Sequence, residues 1–315
     1  MVEGPSGLVF ARLLELGGIT DYVIYERDES ATPGPWQQGG TLDLHGPSGQ
    51  LALKRAGLFD KFSKDLARWE ASGLHIVDSR GATVIQVGEG SDRPEIDRLR
   101  LRQLLLDSVP AHKIRWGHAV STVERNTDSP TATGDNGCII RFVNGTSATR
   151  FRLIVGADGA WSKVRPLLLL SSRDFYATWA PELKALVETA EGPFRAWPLY
   201  RMEPELVGWA RSVAPGVTLL GDAAHLSTPF AGEGVNCSMY DAVVLADRII
   251  EGCGMDSNLA NMENTSLEKA LTACEEDMFL RGRDLIRRST KSETMLFHEG
   301  ATALFSKFLG LDKQE

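Results

Sequence analysis

No stretch of the 315-residue sequence approaches the ~18 consecutive apolar residues of a transmembrane helix, so no membrane span is expected. Cysteine is sparse. Cys138, Cys237, Cys253 and Cys274 show no C-x-x-C spacing, and none stands near a plausible histidine ligand. That predicts neither a zinc site nor a disulfide framework, but free thiols in a reducing compartment. Basic runs are absent as well. The 34 Lys+Arg face 42 Asp+Glu for a formal charge of −8, which argues against nucleic acid or an anionic membrane surface as partner. Internal repeats and low-complexity segments are missing. The first residues lack the charged-then-apolar order of a secretory signal, and Leu311 to Glu315 match no peroxisomal or retention signal; the expected location is the cytoplasm.

What the sequence does have is apolar residues in quantity, 43% of the chain and spread along all of it, enough for about two domains with real cores. Helix and strand signals alternate. Pro5 to Leu16 reads as a helix closed by Gly17-Gly18, and Tyr22 to Tyr25 as a strand ending at Glu26. Pro47 to Ala56 and Arg98 to Ser108 read as helices, while Leu74–Val77 and Thr83–Val87 read as a hairpin around Ser79-Arg80-Gly81. Strands are expected at Ile114–Trp116, Ala119–Val123, Cys138–Val143, Phe151–Val155 and Val217–Leu220, with a loop over 126–137. A helix from about Val235 to Ile250 and a long one from about Ser266 to Ser292 complete the pattern. The fold class is α/β, with a more antiparallel second part.

Three motifs carry chemistry. Gly4-Pro5-Ser6-Gly7 opens a helix, and Glu26 follows about 20 residues on, at the end of a strand. Glycines there let the backbone approach a pyrophosphate at a helix N-terminus, and the acid accepts hydrogen bonds from a ribose. A plain turn before a helix would have the same glycines; the Glu26 spacing favours the nucleotide reading. Gly156-Ala157-Asp158-Gly159 directly follows a strand. Gly221-Asp222-Ala223-Ala224-His225 ends another, then Pro229 to Asn236 leads into a long helix whose positive end suits an electron-rich ligand. Arg98 and Arg102, four apart on one helix, could bind a ligand or be solvated. His225 and His45 read as packed structural residues.

On these motifs the sequence resembles the FAD-dependent aromatic-hydroxylase superfamily, which includes the para-hydroxybenzoate hydroxylases. It is similar above all to the tetracycline-inactivating and fungal secondary-metabolite monooxygenases. G-P-S-G-L at Gly4–Leu8, Y-E-R at Tyr25–Arg27, G-G-T-L-D-L-H at Gly39–His45 and P-E-I-D-R at Pro94–Arg98 carry the resemblance. So do L-R-x-L-L at Leu101–Leu105, the Gly156–Arg165 motif and the Gly221–Asn236 motif, in family order over nearly the whole chain. The resemblance implies a Rossmann-like FAD-binding domain over 1–70, 98–168 and 216–263. It implies a reduced, mostly antiparallel substrate domain over 71–97 and 169–215, and C-terminal helices over 264–315. It places Gly4 and Gly7 on the FAD pyrophosphate, Glu26 on the ribose with Arg27 beside it, and Arg102 on the phosphates. It places Asp43 near the flavin, Asp222 on the ribityl chain or pyrophosphate, and Gly232, Gly234, Val235 and Asn236 at the isoalloxazine ring, with Asp158 joining FAD binding to pyridine-nucleotide use. Trp36 stands where relatives can carry an arginine for the nicotinamide.

The implied activity is oxygenation of an aromatic, enolic or polyketide-like small molecule in secondary metabolism or detoxification. NAD(P)H reduces FAD, molecular oxygen adds as a flavin C4a-hydroperoxide, and that species hydroxylates the substrate. No catalytic side chain is identified and no metal is implied. Two departures stand out. Only Met1-Val2-Glu3 precede Gly4, where a strand and a first glycine are expected, and the stretch from Asp158 to Asp222 is too short for a sheet of ~4–6 strands. The reading is therefore a FAD-dependent monooxygenase by descent, truncated and internally deleted, with poor folding and little coupled turnover expected. The alternative is a non-catalytic flavin-binding remnant or an incomplete gene model. A reductase or halogenase of the same fold is disfavoured because no halogenase-type tryptophan motif is present. Glu26 has work only if an adenosine ribose is present, so reconstituted protein is expected to retain FAD in preference to FMN through desalting. Equal retention of the two would overturn that role.

Overall fold

The structure, a computed structural model, describes residues 4–33, 39–72, 92–125, 137–158, 199–254, 259 and 262–297, with the backbone of 74–77 and 83–87. In chain order the elements that position the site are α1 (Pro5–Leu16), β1 (Ile24–Tyr25), β2 (Thr41–Asp43), a π-turn at Gly46–Gln50 leading into α2 (Leu51–Arg55), and α3 (Phe59–Lys61). Then come β3 (Leu74–Val77), β4 (Thr83–Val87), β5 (Glu95–Asp97), α4 (Arg98–Leu106), β6 (Ile114–Arg115), β7 (Val120–Arg125), β8 (Cys138–Phe142), β9 (Ser147–Ala148) and β10 (Ile154–Gly156). The chain continues with β11 (Val217–Leu219), α5 (Asp222–His225), α6 (Gly234–Cys253) and α7 (Asn264–Leu296).

Parallel pairing joins β1 to β6 and β10 to β11. Both strands of the second pair are buried throughout, as crossover-connected strands with covered faces require. Among the described residues the two pairs stay separate, with no strand hydrogen-bonding one to the other. The remaining strands are antiparallel: β2 with β5, the β3–β4 hairpin, and the β7–β8–β9 meander. In β8 the alternation of Cys138, Ile140 and Phe142 inward leaves Arg141 outward, the period-2 signature of a half-covered sheet.

Helix α1 is buried nearly all round, because it lies between α4 and α6 and has no solvent face to keep polar. Pro5 occupies its first turn, and Gly17 closes it by donating its N–H to the Leu13 carbonyl. Along α7, Leu267, Leu271, Cys274, Met278, Gly282, Leu285 and Ser289 are buried at spacings of three and four, a seam on an otherwise largely charged helix. At 33 residues α7 is long, yet no helix among the described residues is both long and apolar enough to cross a membrane. Polar side chains of α7 hold the β11 region from outside: Glu275 accepts from Arg211 (2.6 Å) and Thr218 (2.8 Å), and Glu268 accepts the Gly216 N–H (2.7 Å).

The sequence-based elements agree in kind, with shifted bounds. The expected helix over 47–56 begins as a π-turn, since the Gln50 amide is drawn to the carbonyls of Leu44 (2.8 Å) and Asp92 (3.1 Å). The Phe151–Val155 strand narrows to Ile154–Gly156, and the last helix is longer than expected. Trp36, the Ser79-Arg80-Gly81 turn, residues 126–136 of the expected loop and the tail of the Asp158 motif at 159–165 lie outside the described residues.

Gly282 gives the seam its tightest contact: a Cβ there would lie 2.6 Å from His225 Cβ. Gly→Ala in an exposed helix interior stabilises by up to ~1 kcal/mol. At this position overpacking wins, and Gly282→Ala is expected to cost about 1–3 kcal/mol. Urea unfolding midpoints decide it; a midpoint equal to or above that of the parent contradicts the contact.

Candidate functional site

The glycine turn sits on the end of β10. Gly4 caps α1 in extended conformation, and a Cβ on it would come 2.8 Å from the Ala157 carbonyl oxygen, so only glycine allows this approach. Gly7 is buried in the first turn, and half-buried Asp158 follows Ala157 directly.

Across the fold, Glu26 leaves β1. Its N–H donates to the Arg115 carbonyl (3.0 Å), which extends the parallel pairing by one residue, and its side chain is buried. Oε1 accepts the Asp28 N–H (3.0 Å). Burial raises the Glu26 pKa above the usual carboxylate range, against the opposing pull of the Asp28 N–H, Arg27 and Arg102. Arg102 reaches this acidic turn from α4, donating to the Ala31 carbonyl (2.9 Å) and to Asp28 (3.3 Å) with Trp116 5.7 Å from its guanidinium. Arg27 points away: its side chain is 80% exposed and 3.9 Å from Asp28.

A third group forms where β2 meets α6. Asn236, buried in the first turn of α6, donates to the Asp43 carbonyl (2.8 Å) and accepts the His45 N–H (2.8 Å). Its amide is thus committed to the β2 backbone. His45 Nε2 meets Asp43 Oδ2 at 2.8 Å, so His45 is a packed residue with a defined partner. Burial would raise the Asp43 pKa, but the His45 hydrogen bond and charge together with Arg93 lower it, leaving a carboxylate. Gly232, at φ +66°, turns the chain beneath that carboxylate, 4.0 Å from it measured from a notional Cβ. Gly234 and Val235 start α6, and Glu233, its N-cap residue, is neutralised by two hydrogen bonds from Arg288 of α7 (2.7 and 2.9 Å).

Asp222 opens α5 at the exit of β11, and the cation that senses it is Arg98, in the first turn of α4. Burial lowers the Arg98 pKa while Asp222 raises it, and the Arg98 Nε is buried with no hydrogen-bond partner. The two arginines of α4 therefore divide the work. Arg102 serves the Glu26 side and Arg98 the Asp222 side, while the Arg98 N–H ties α4 to β2 through the Gly40 carbonyl (3.0 Å).

One sequence expectation fails. A cysteine does lie near a histidine: Cys237 Sγ is 4.0 Å from His225 Nε2, because the loop between α5 and α6 folds the end of α5 against the start of α6. With Asp241 they lie within 4.8 Å of one another. Asp241 is already bonded to His225 (2.7 Å) and to Arg281 (3.0 Å), so the cluster is an ion-pair network, with a guanidinium where a cation would have to approach. Sequence reasoning missed Asp241, Arg281 and Arg288; the available signal was a lone acid, Asp241, on the buried face of an amphipathic helix.

Comparison with known proteins follows the same lines. The family model described as FAD binding domain matches residues 3–191 and 210–260. The chain is 25% identical to the monooxygenase asqM of Emericella nidulans, over 96% of this chain and 96% of that protein. It is 24% identical to the monooxygenase penA of Penicillium thymicola, over 87% and 89%. The asqM alignment runs over 432 positions, more than this chain has residues, so the relative carries segments absent here. Among solved structures, Klebsiella pneumoniae HpxO complexed with FAD and uric acid superposes with a TM-score of 0.67 at 19% identity, covering 99% of this chain and 92% of that one. Pseudomonas aeruginosa PqsL in complex with 2-aminobenzoylacetate gives 0.69 at 19%, covering 96% and 97%.

The raised Glu26 pKa has a definite sign. The folded state favours the protonated acid, so the ionised form costs stability as pH rises from the unfolded value through the folded one. Glu26→Gln keeps the acceptor for the Asp28 N–H and removes that cost. The variant is expected to match the parent at about pH 4 and to exceed it in unfolding midpoint at about pH 8. A gap that is the same at both pH values would mean that Glu26 is not destabilised by ionisation.

Proposed function

The chain belongs to the FAD binding domain family, and on that premise we propose that it is a FAD-dependent monooxygenase that uses NAD(P)H and molecular oxygen on an aromatic or polyketide-like small molecule. The observation that carries this reading is on α4: the Arg98 Nε, which feels the Asp222 charge, is buried with no hydrogen-bond partner, and Arg102 stands beside the Glu26 turn. Two cations one helical turn apart, between two acidic strand ends, form a cradle for a molecule with phosphates at its middle and hydroxyls on either side.

Bound FAD would supply two-electron redox chemistry and activation of oxygen. Glu26 would accept from the adenosine ribose, and the preference for a free 2′-hydroxyl follows from its negative charge. Gly4, Gly7 and the α1 N-terminus would admit the pyrophosphate, with Arg98 and Arg102 balancing its charge. Asp222 would take the ribityl side. The buried, unpartnered Arg98 Nε supports this fit, as a donor that a phosphate or hydroxyl would satisfy. Asp43, Gly232, Gly234, Val235 and Asn236 would border the ring. There the start of α6 offers partial positive charge to an electron-rich edge, and Arg288 cancels the opposing charge of Glu233. Asp158 joins the pyrophosphate end through its position beside the Gly4 contact. Arg27, facing solvent, is left for the rim of the adenosine site. The similarity to fungal monooxygenases supports a role in secondary metabolism.

A second reading, a flavin-binding remnant without coupled turnover, is favoured by one observation: the two parallel strand pairs are not joined among the described residues. Purified protein loaded with FAD, given NADPH or NADH and a panel of phenols and enolic polyketides, separates the two. Substrate-dependent NAD(P)H consumption with a product heavier by one oxygen atom is expected of the monooxygenase. FAD retention with peroxide as the sole product supports the remnant, and no FAD retention overturns both.

A further inference from the structure

We propose that the Asp241–His225–Arg281 network positions Asp222 for the cofactor, and that Asp241 is its central positioning residue; this rests on the FAD reading above. The four-residue helix α5, which begins with Asp222, is too short to be stable by itself. Asp241 grips both of its ends with one oxygen. Oδ2 accepts the Gly221 N–H (3.1 Å) immediately before Asp222 and also meets His225 Nε2 (2.7 Å) at the last residue of α5. The other oxygen, Oδ1, accepts from Arg281 of α7 (3.0 Å), whose guanidinium also pairs with Asp277 and lies 4.8 Å from the Tyr240 ring.

Each part of this grip is confined. Gly221 takes φ +59°, and a Cβ there would run into Ser238, so the chain has a single way to turn out of β11. Gly282 brings the α7 backbone against His225 from behind. Asp241 and His225 are essentially without solvent exposure, and a buried carboxylate so placed must be paired. Burial alone would discharge both partners, yet the Asp241 charge raises His225 well above the ordinary histidine range, while His225 and Arg281 lower Asp241. Both shifts run in the direction that favours an ionic pair. Arg281 lies beyond residue 260, where the family match ends, so this brace on Asp241 comes from a helix outside the matched residues.

A double-mutant cycle tests this on the full chain, with FAD affinity read by flavin fluorescence titration. Asp241→Asn is expected to raise the FAD Kd about tenfold in the parent, a coupling of ordinary size for contacting residues, and to leave it unchanged in an Asp222→Ala background. Arg281→Lys, which keeps the charge, is expected to stay close to the parent. Should Asp241→Asn not fold, Arg281→Gln keeps the Asp241–His225 contact and carries the same cycle with Asp222→Ala. Equal losses in both backgrounds mean that the network only stabilises the fold, and overturn the proposal. A parent chain that binds no FAD overturns the functional reading and this inference together, whereas FAD binding with additive losses overturns this inference alone.

Discussion

Four residues of α-helix advance about 6 Å, and that fixed rise separates Arg98 from Arg102 on α4. Because the first residue of α4 is tied to β2 through the Gly40 carbonyl, the helix cannot slide relative to the β2–β5 ribbon. Arg98 is thereby held where it feels the Asp222 charge, and Arg102 at the Asp28 turn next to Glu26. The β2 ribbon is in turn fixed to α6 by the Asn236 amide. Glycines then set how closely the backbone approaches these groups, at Gly4 against Ala157 and at Gly232 under Asp43. If α4 shifted, the two acidic turns would lose their counter-charges together.

The outer support is electrostatic and comes from α7. Its side chains reach β11 through Glu275, Asp241 in α6 through Arg281, and the α6 start through Arg288. These bonds differ in worth. The Glu233–Arg288 pair is partly exposed and screened by solvent, so it contributes modestly. The Asp241 network is buried, and leaving any one of its members uncompensated is costly. Thr228 and Ser289, hydrogen-bonded at 2.8 Å, add a neutral contact one residue beyond Arg288, on the chain leading into Gly232.

Local signals made much of this legible. The Gly4 turn, the strand end at Glu26, the long helix after Asn236 and the hairpin near residue 80 all follow from period and turn chemistry, which act over a few residues. The partner of Asp222 did not. Arg98 and Arg102 occupy one helix face in the sequence, and only packing decides that the first feels the Asp222 charge and the second bonds the Asp28 turn. Asn236 likewise marks the start of a helix in the sequence, but the bonds its amide makes to the β2 backbone, about 190 residues away, have no local signal. Asp241 was passed over because an acid in an apolar helix face has no local partner; its compensation comes from α5 and α7. The His225–Cys237 approach was invisible for the same reason.

The spacing of Gly282 on α7 has a last consequence. The seam of Leu271, Met278, Gly282 and Leu285 locates the helix along its axis, and a slip by one turn would bring a neighbouring side chain against His225 where only a hydrogen fits. The same slip would carry Arg281 and Arg288 about 5.4 Å from their carboxylates at once. Helix α7 thus works as a ruler with a single legal reading: every polar mark on it is aligned when one glycine is aligned, and intermediate alignments are closed to it.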